Sequence, residues 1–495
     1  MTSPPPRLGA VRTAAAAVRH GRCSAVDLVE AAIGRLAHDG APLNLLAAER
    51  FDAAHADAAR ADRRRAVDGP AGPVDGVPAL IKDLEDVRGL PTRKGSLLLE
   101  DAPPATRDSR VTGRLRAAGA IVVGKTTLPE FAIEGHTANL ATGVTRNPWQ
   151  LEWSPGGSSG GSAASVAAGL VAIATATDGG GSVRIPAACC GLVGLKPTNG
   201  VVARAPIPDW IDFSTDGVFA TTTDDLALLL ELEAGPASGD PTAYPVTLTD
   251  DPSARPTTLL VADRTSDLGE LPEDVRTAFG SAVDALAHLV QLPVTRLEPA
   301  SIFGSGDPDL DWFLVATAEH VSAIGRAAVE QGMSRFHPAT QEFLAMGLDV
   351  GIDDYLAARR RRFRYVLVMD DLLGPSGILV TPTLAVGGVL AEGRLPGTDA
   401  VGLLPPEVYS TALQNVTGHP AISVPAGFLP NGLPFGLQLT APRFADHVLI
   451  ALARRWEAAF PWPTHPPGFA SFVDTVLRVC GCDEHDIEND LKEER

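Results

Sequence analysis

Residues 154–200 read SPGGSSGGSAASVAAGLVAIATATDGGGSVRIPAACCGLVGLKPTNG, and eleven of the chain's 49 glycines fall between Gly156 and Gly200. The loop Gly156-Gly-Ser-Ser-Gly-Gly161 consists of small residues, which adopt unusual dihedrals and bring backbone close to a ligand. Residues 162–168 (SAASVAA) open a helix whose side chains permit close packing. Residues 170–177 form a strand-like run that ends in Asp178-Gly-Gly-Gly-Ser182. A triple glycine leading into serine at a strand end points successive amides at one spot, as stabilisation of a developing oxyanion requires. An isolated GGGS reads as a tight turn. Two Gly/Ser loops bracketing one helix and one strand favour a nucleophilic serine.

Such a serine needs a base. None of the eleven histidines lies between Trp149 and Lys196. The chain has no HExxH, no H-x-H and no Cys/His pair at ligand spacing, so no metal is expected. One lysine does sit in apolar surroundings: Lys82, in Gly76-Val-Pro-Ala-Leu-Ile-Lys82-Asp83. Desolvation there would depress its pKa and make the neutral amine a usable base. Against that stands the ordinary reading of a strand lysine as a snorkelling edge residue.

Outward from this stretch, residues 74–235 alternate short apolar strands with helices and turns, the pattern of an α/β sheet. VPALIKD and AIVVGK read as strands, with SRVTGRLRAAG between them as a helix closed by glycine. Residues 1–70 are Ala- and Arg-rich helices expected to pack on the core. Residues 236–375 begin with a Pro/Asp-rich loop and read as a variable insertion of strand, helix, strand and long helices. Strands resume from 376 in GILVTPT, PAISVPAG and PFGLQLTAP, followed by an amphipathic helix over 446–460. Length alone allows about three domains, but no flexible linker divides the chain. The expected organisation is helices over 1–70, an α/β domain over 71–479 with the 236–375 insertion, and a flexible acidic tail over 480–495.

The 495 residues carry 41 Lys+Arg against 60 Asp+Glu, a net charge of −19. That field repels phosphate backbones, so no nucleic-acid partner is expected. The basic run at residues 359–362 lies in a helix flanked by acids and reads as a solvated face. No 18-residue apolar span marks a membrane helix. The acid-free first 26 residues imitate a transit peptide but lack an apolar signal segment. Five cysteines without a CxxC pair suit a reducing compartment, and a cytoplasmic location is expected. Residues 119–126, GAIVVGKT, match the P-loop pattern letter for letter. Yet Ala-Ile-Val-Val is a strand whose amides belong to a sheet ladder and could not wrap a phosphate. VLVMDD at 366–371 imitates a magnesium-holding run, but it sits inside a long helix.

Taken in order, GVPALIKD, AGAIVVGKTTLPEF, TRNPWQLEWSPGGSSGGSAASVAAG, TDGGGSVRIPAACCGLVGLKPTNG and GHPAISVPAGFLPNGLPFGLQL resemble the amidase signature family of serine hydrolases. The likeness spans nearly the whole chain, to about residue 465, and is close to stand-alone bacterial amidases and cyclic amide oligomer hydrolases. It implies a large mixed β-sheet covered by helices on both faces. It also implies a Ser–cis-Ser–Lys triad: Ser182 as nucleophile, Ser158 as the serine held by a cis peptide, and Lys82 as base. The amides of Gly179, Gly180, Gly181 and Ser182 would form the oxyanion hole, with Ser159 and Arg184 supporting the geometry and no cofactor. One departure is Gly179, where the family loop has threonine. Its missing side chain suggests room beside the nucleophile for a bulky acyl group.

Specificity lies in the least readable zone. Phe131, His136, Trp210 and Trp312 are candidates to line an apolar pocket, with Glu130, Phe213 and Phe313 beside them, although a single buried aromatic is ordinarily packing. The expected substrate is a neutral, apolar or aryl amide, with amide oligomers and carbamates as further candidates. A homodimer is left open. Two rival readings are the A subunit of an aminoacyl-tRNA amidotransferase, working as a glutaminase within a complex, and an ATP-dependent enzyme using residues 119–126. The SSLDQIGP-like stretch typical of that amidotransferase component is not seen; here the chain reads Phe213-Ser-Thr-Asp-Gly-Val-Phe.

Overall fold

The architecture is that of a computed structural model, which describes residues 7–246, 255–265, 269–298, 302–304, 306–399, 401–405 and 408–493. Part of the Pro/Asp-rich loop expected at the start of the insertion lies outside these residues. The strands in chain order are β1 (Leu46–Glu49), β2 (Pro78–Lys82), β3 (Ile121–Thr126), β4 (Ala138–Asn139), β5 (Gly143–Val144), β6 (Ile173–Ala174) and β7 (Ala176–Asp178). They continue with β8 (Val193–Lys196), β9 (Thr215–Ala220), β10 (Thr258–Val261), β11 (Val294–Arg296), β12 (Gly377–Pro382), β13 (Ala421–Phe428) and β14 (Pro434–Thr440).

Among the described residues, eight strands form one mixed sheet in the order β11-β10-β12-β14-β13-β8-β9-β7. Four more form a second sheet, β1-β3-β2-β6, and β4 pairs with β5. Helices flank the large sheet, giving the α/β class expected. The run at 170–177 is not one strand, however. It breaks at Thr175, so β6 pairs in parallel with β2 while β7 pairs antiparallel with β9. The two sheets are thereby joined one residue apart, beside the end of β2 that carries Lys82.

Local chemistry sets the connections. Between β2 and β3, the helix Arg110–Ala117 begins where the Ser109 side chain accepts the Thr112 amide, satisfying a donor that a helix start leaves open. It ends at Gly119, whose φ is +99°. The N-terminal helices are bound to the core: their buried alanines and leucines share one apolar cluster with β2, β3 and β13. Arg35 also donates to the carbonyls of Ala168 (3.1 Å) and Ala470 (3.0 Å). The insertion adds β10 and β11 to the large sheet. Its helices Pro308–Ile324, Pro338–Asp349 and Ile352–Leu373 close over a second, aromatic-rich cluster.

The tail expected to be flexible forms the helix Glu484–Glu493. Ile487 is fully buried, and Asp490 receives both Nε and Nη2 of Arg22 at 2.8 and 2.9 Å. One apolar side chain worth about 1.5–3 kcal/mol on burial and a two-point ion pair anchor a segment whose composition is almost wholly polar. Among the described residues no helix is long and apolar enough to cross a membrane.

Candidate active site

β2 delivers Lys82 to the junction of the two sheets, where its own amide donates to Thr175 Oγ1 at 2.8 Å. The side chain is fully buried. Its Nζ lies 2.8 Å from Ser158 Oγ, 2.9 Å from Ser159 Oγ and 2.8 Å from Thr177 Oγ1. No carboxylate among the described residues forms an ion pair with it. Burial, only partly opposed by the more distant charges of Glu85, Asp178 and Asp216, pushes its pKa down to about 7.

A neutral amine donates two hydrogen bonds and accepts one, which three hydroxyls satisfy. The Ser159 hydroxyl has a backbone acceptor in the Thr177 carbonyl at 3.4 Å, leaving it free to accept from Nζ. Ser158 can then donate its proton to the amine. The Gly157–Ser158 peptide is cis, as the family resemblance implied.

Ser182 follows β7 and the three glycines. Its hydroxyl has no hydrogen bond among the described residues and lines the same cavity, of about 320 Å³, as Ser158, Thr177 and Gly179. Asp178 fixes the loop from inside. Its carboxylate accepts the amides of Gly181 (2.8 Å) and Val183 (3.1 Å) and binds Arg184 at two points, Nε at 3.0 Å and Nη2 at 2.8 Å. Burial raises this carboxyl's pKa, but the Arg184 charge and hydrogen bonds outweigh it and hold it at about 2. Arg184 is itself fully buried, bonded also to Gln414, Gln438 and Asn415.

Two expectations need correction here. Gly181 is expected among the oxyanion-hole donors, yet its amide is engaged by Asp178. Its φ of +130° and the nearby Thr411 hydroxyl, which a Cβ would overlap, explain why glycine stands there. The amides of Gly179 and Gly180 have no such partner among the described residues. Nor does Gly179 open space beside the nucleophile. A Cβ there would lie 2.7 Å from Trp210 Cε3, so the indole occupies the volume that a threonine side chain would need.

The aromatic candidates divide. Phe131 lines the larger cavity, Trp210 lines that cavity and a second of about 50 Å³, and Trp312 lines the second. Ser182 lies on both, so the two chambers meet at the nucleophile candidate. Trp312 donates to the Gly179 carbonyl at 2.8 Å, and the two indoles pack edge to face with centroids 5.2 Å apart. His136 lines neither chamber. The loop turns residues 133–135 toward the smaller one and His136 inward, where it is fully buried against Gly393 and His337.

Sequence reasoning missed Thr177, the third partner of Lys82, although the alternation Ala176-Thr177-Asp178 would have placed it on one face of a strand. It also missed Asn415, which donates to the Asp178 carbonyl at 2.8 Å; nothing local signals a partner 237 residues away. The P-loop look-alike is a strand, as read. Lys125 is buried in β3 and bound to Asp83 Oδ1 at 2.6 Å and the Pro91 carbonyl at 3.0 Å.

The chain is similar to known amidases. The Amidase family profile matches residues 27–450. An acylamidase of Rhodococcus erythropolis is 33% identical over 472 residues, covering 92% of this chain and 96% of that protein. The A subunit of the glutamyl-tRNA(Gln) amidotransferase of Chromohalobacter salexigens is 34% identical over 497 residues, covering 92% and 97%. The crystal structure of a bacterial aryl acylamidase of the amidase signature family superposes with a TM-score of 0.82 at 26% identity, covering 94% of this chain and 97% of the other.

Proposed function

The chain belongs to the amidase signature family, and from that membership we propose a stand-alone amide hydrolase working through a seryl acyl-enzyme. The observation that carries this reading is Lys82, bound to Ser158 at 2.8 Å and given hydroxyl partners in place of a carboxylate. Neutral Lys82 takes the Ser158 proton, and Ser158 takes that of Ser182 as its Oγ attacks the carbonyl carbon. The oxyanion is received by the Gly179 and Gly180 amides with that of Ser182. Collapse breaks the carbon–nitrogen bond, and Ser158 returns a proton to the departing amine. Water then attacks the acyl-enzyme through the same relay and frees Ser182. Thr177, Ser159 and the Asp178–Arg184 pair position these groups.

The substrate is a small amide with an apolar or aryl part. The aromatic walls of Phe131, Trp210 and Trp312 and the likeness to an aryl acylamidase support that class. Purified alone and without ATP, the protein should release aniline from an acyl anilide and be labelled at Ser182 by a fluorophosphonate. Ser182→Ala should lower turnover by at least about 10⁴-fold; an undiminished rate would sink the assignment. The similarity to an amidotransferase component favours a second reading, a glutaminase within a complex. It would gain support if the lone protein were inert and glutaminase activity arose only with co-purifying partners.

A further inference from the structure

The smaller chamber beside Ser182 is less apolar than its aromatic walls suggest. Two acidic residues, Glu134 and Asp309, are among those lining it, together with Trp210, Trp312, Phe313 and Tyr409, and no lysine, arginine or histidine is. Glu134 is only 5% exposed, and its Oε1 has no hydrogen-bond partner among the described residues. Its other oxygen lies 3.5 Å from Nδ1 of His136, a residue outside the chamber's lining. Tyr409 sets its hydroxyl against Gly135 next to Glu134, and burial followed by the Glu134 charge pushes that phenol well above its ordinary value. A buried acceptor without a donor costs stability. An acidic residue and indole rings lining one chamber are also an arrangement that attracts a cation. The larger chamber is mixed: Glu85, Asp86, Asp209 and Asp216 line it together with two cations, and both cations are engaged, Lys94 by Asp209 at 2.7 Å and Arg204 by Asp240 at 3.4 Å.

The relay assigns the two chambers. Ser158, which hands the proton to the leaving nitrogen, lines the larger one and not the smaller. The amine therefore departs through the larger chamber, and the acyl group lies in the smaller. We propose that the smaller chamber is an acyl subsite for a cationic nitrogen on a short apolar stem, with Glu134 as its counter-charge. The preferred substrates are then ω-aminoacyl amides. This inference rests on Ser182 being the nucleophile, and it revises the expected neutral amide to one whose acyl end carries an ammonium.

The test compares p-nitroanilides of matched shape: β-alanyl against butyryl, δ-aminovaleryl against caproyl, with glutaryl as the anionic member. At neutral pH at least one aminoacyl compound should exceed its isostere by about tenfold or more in kcat/KM, with glutaryl slowest. Glu134→Gln should bring that ratio close to one, chiefly by raising KM for the aminoacyl compound. Wild-type enzyme that cleaves both members of each pair equally well overturns the proposal. So does a Glu134→Gln variant that slows both equally, because that is what a structural role would give. A readout without turnover covers a poorly folding variant or an inert anilide: pentylammonium should slow fluorophosphonate labelling of wild-type Ser182 more than pentanol or hexanoate does. Equal protection by all three also overturns it. Failure of Ser182 to react at all, with no anilide cleaved, defeats the hydrolase reading itself and the subsite with it.

Discussion

Lys82 and Lys125 stand on neighbouring parallel strands, with Lys82 paired in register to Thr126, and both are fully buried. Their surroundings are opposite. Lys125 meets Asp83 at 2.6 Å and is part of a buried ion pair. Lys82 meets only the hydroxyls of Ser158, Ser159 and Thr177. Taking an ammonium out of water without a counter-ion costs several kcal/mol, so at Lys82 the proton is what gives way. A buried lysine becomes a base or a structural cation according to its partner, one strand apart in the same sheet.

That contrast can be broken in several ways. Lys82→Met should lower kcat/KM by about 10³-fold, while leaving the chain folded; circular dichroism alongside an anilide assay separates the two. Lys125→Met should do the reverse. It strands the Asp83 carboxylate and should cost about 3–5 kcal/mol of stability in denaturant unfolding, with turnover per folded molecule retained. If Lys125→Met abolished catalysis in folded protein, the division between the two lysines would fail.

The pH profile sharpens the comparison further. With the Lys82 pKa at about 7 and the neutral amine as the working form, kcat/KM should fall about tenfold per pH unit on the acid side of that value. A limb that stays flat to pH 5 would contradict a lysine base. The same shift has a stability sign. Between about 7 and the ordinary 10.5 the unfolded chain binds a proton that the folded one does not, so stability rises with pH across that window. The cost of burying Lys82 is full below about 7, and Lys82→Met should therefore gain stability there relative to wild type. The smallest effect belongs to Thr177→Val. It removes one of three hydroxyls from Lys82, a loss of about 1 kcal/mol or roughly fivefold in kcat/KM.

Much of this is legible in the chain because it is local. The strands β2, β3, β12, β13 and β14 announce themselves by apolar runs between turn residues. The Gly/Ser loops mark the site because glycine there answers a backbone requirement. The misreadings share a cause as well. The acidic tail looks unable to bury anything, yet Ile487, with Leu491 packed against the same core, and the ion pairs of Arg22 hold it there. Gly179 looks like empty space because its filler, Trp210, lies 31 residues on. Gly181 looks like an oxyanion donor because the reach of Asp178 back to its amide depends on the loop's closed geometry.

By itself, then, the sequence determined the fold class and, through motifs that resemble the amidase signature family, named Lys82, Ser158 and Ser182 as candidates, since such motifs are local. Tertiary structure alone decided that Lys82 lacks the counter-charge Lys125 has, which glycine amides remain unengaged, and that Glu134, with one unpartnered oxygen, shares a chamber with two indole rings and Ser182. Those are properties of burial and distance. They arise only when segments tens to hundreds of residues apart exclude water from the same small volume.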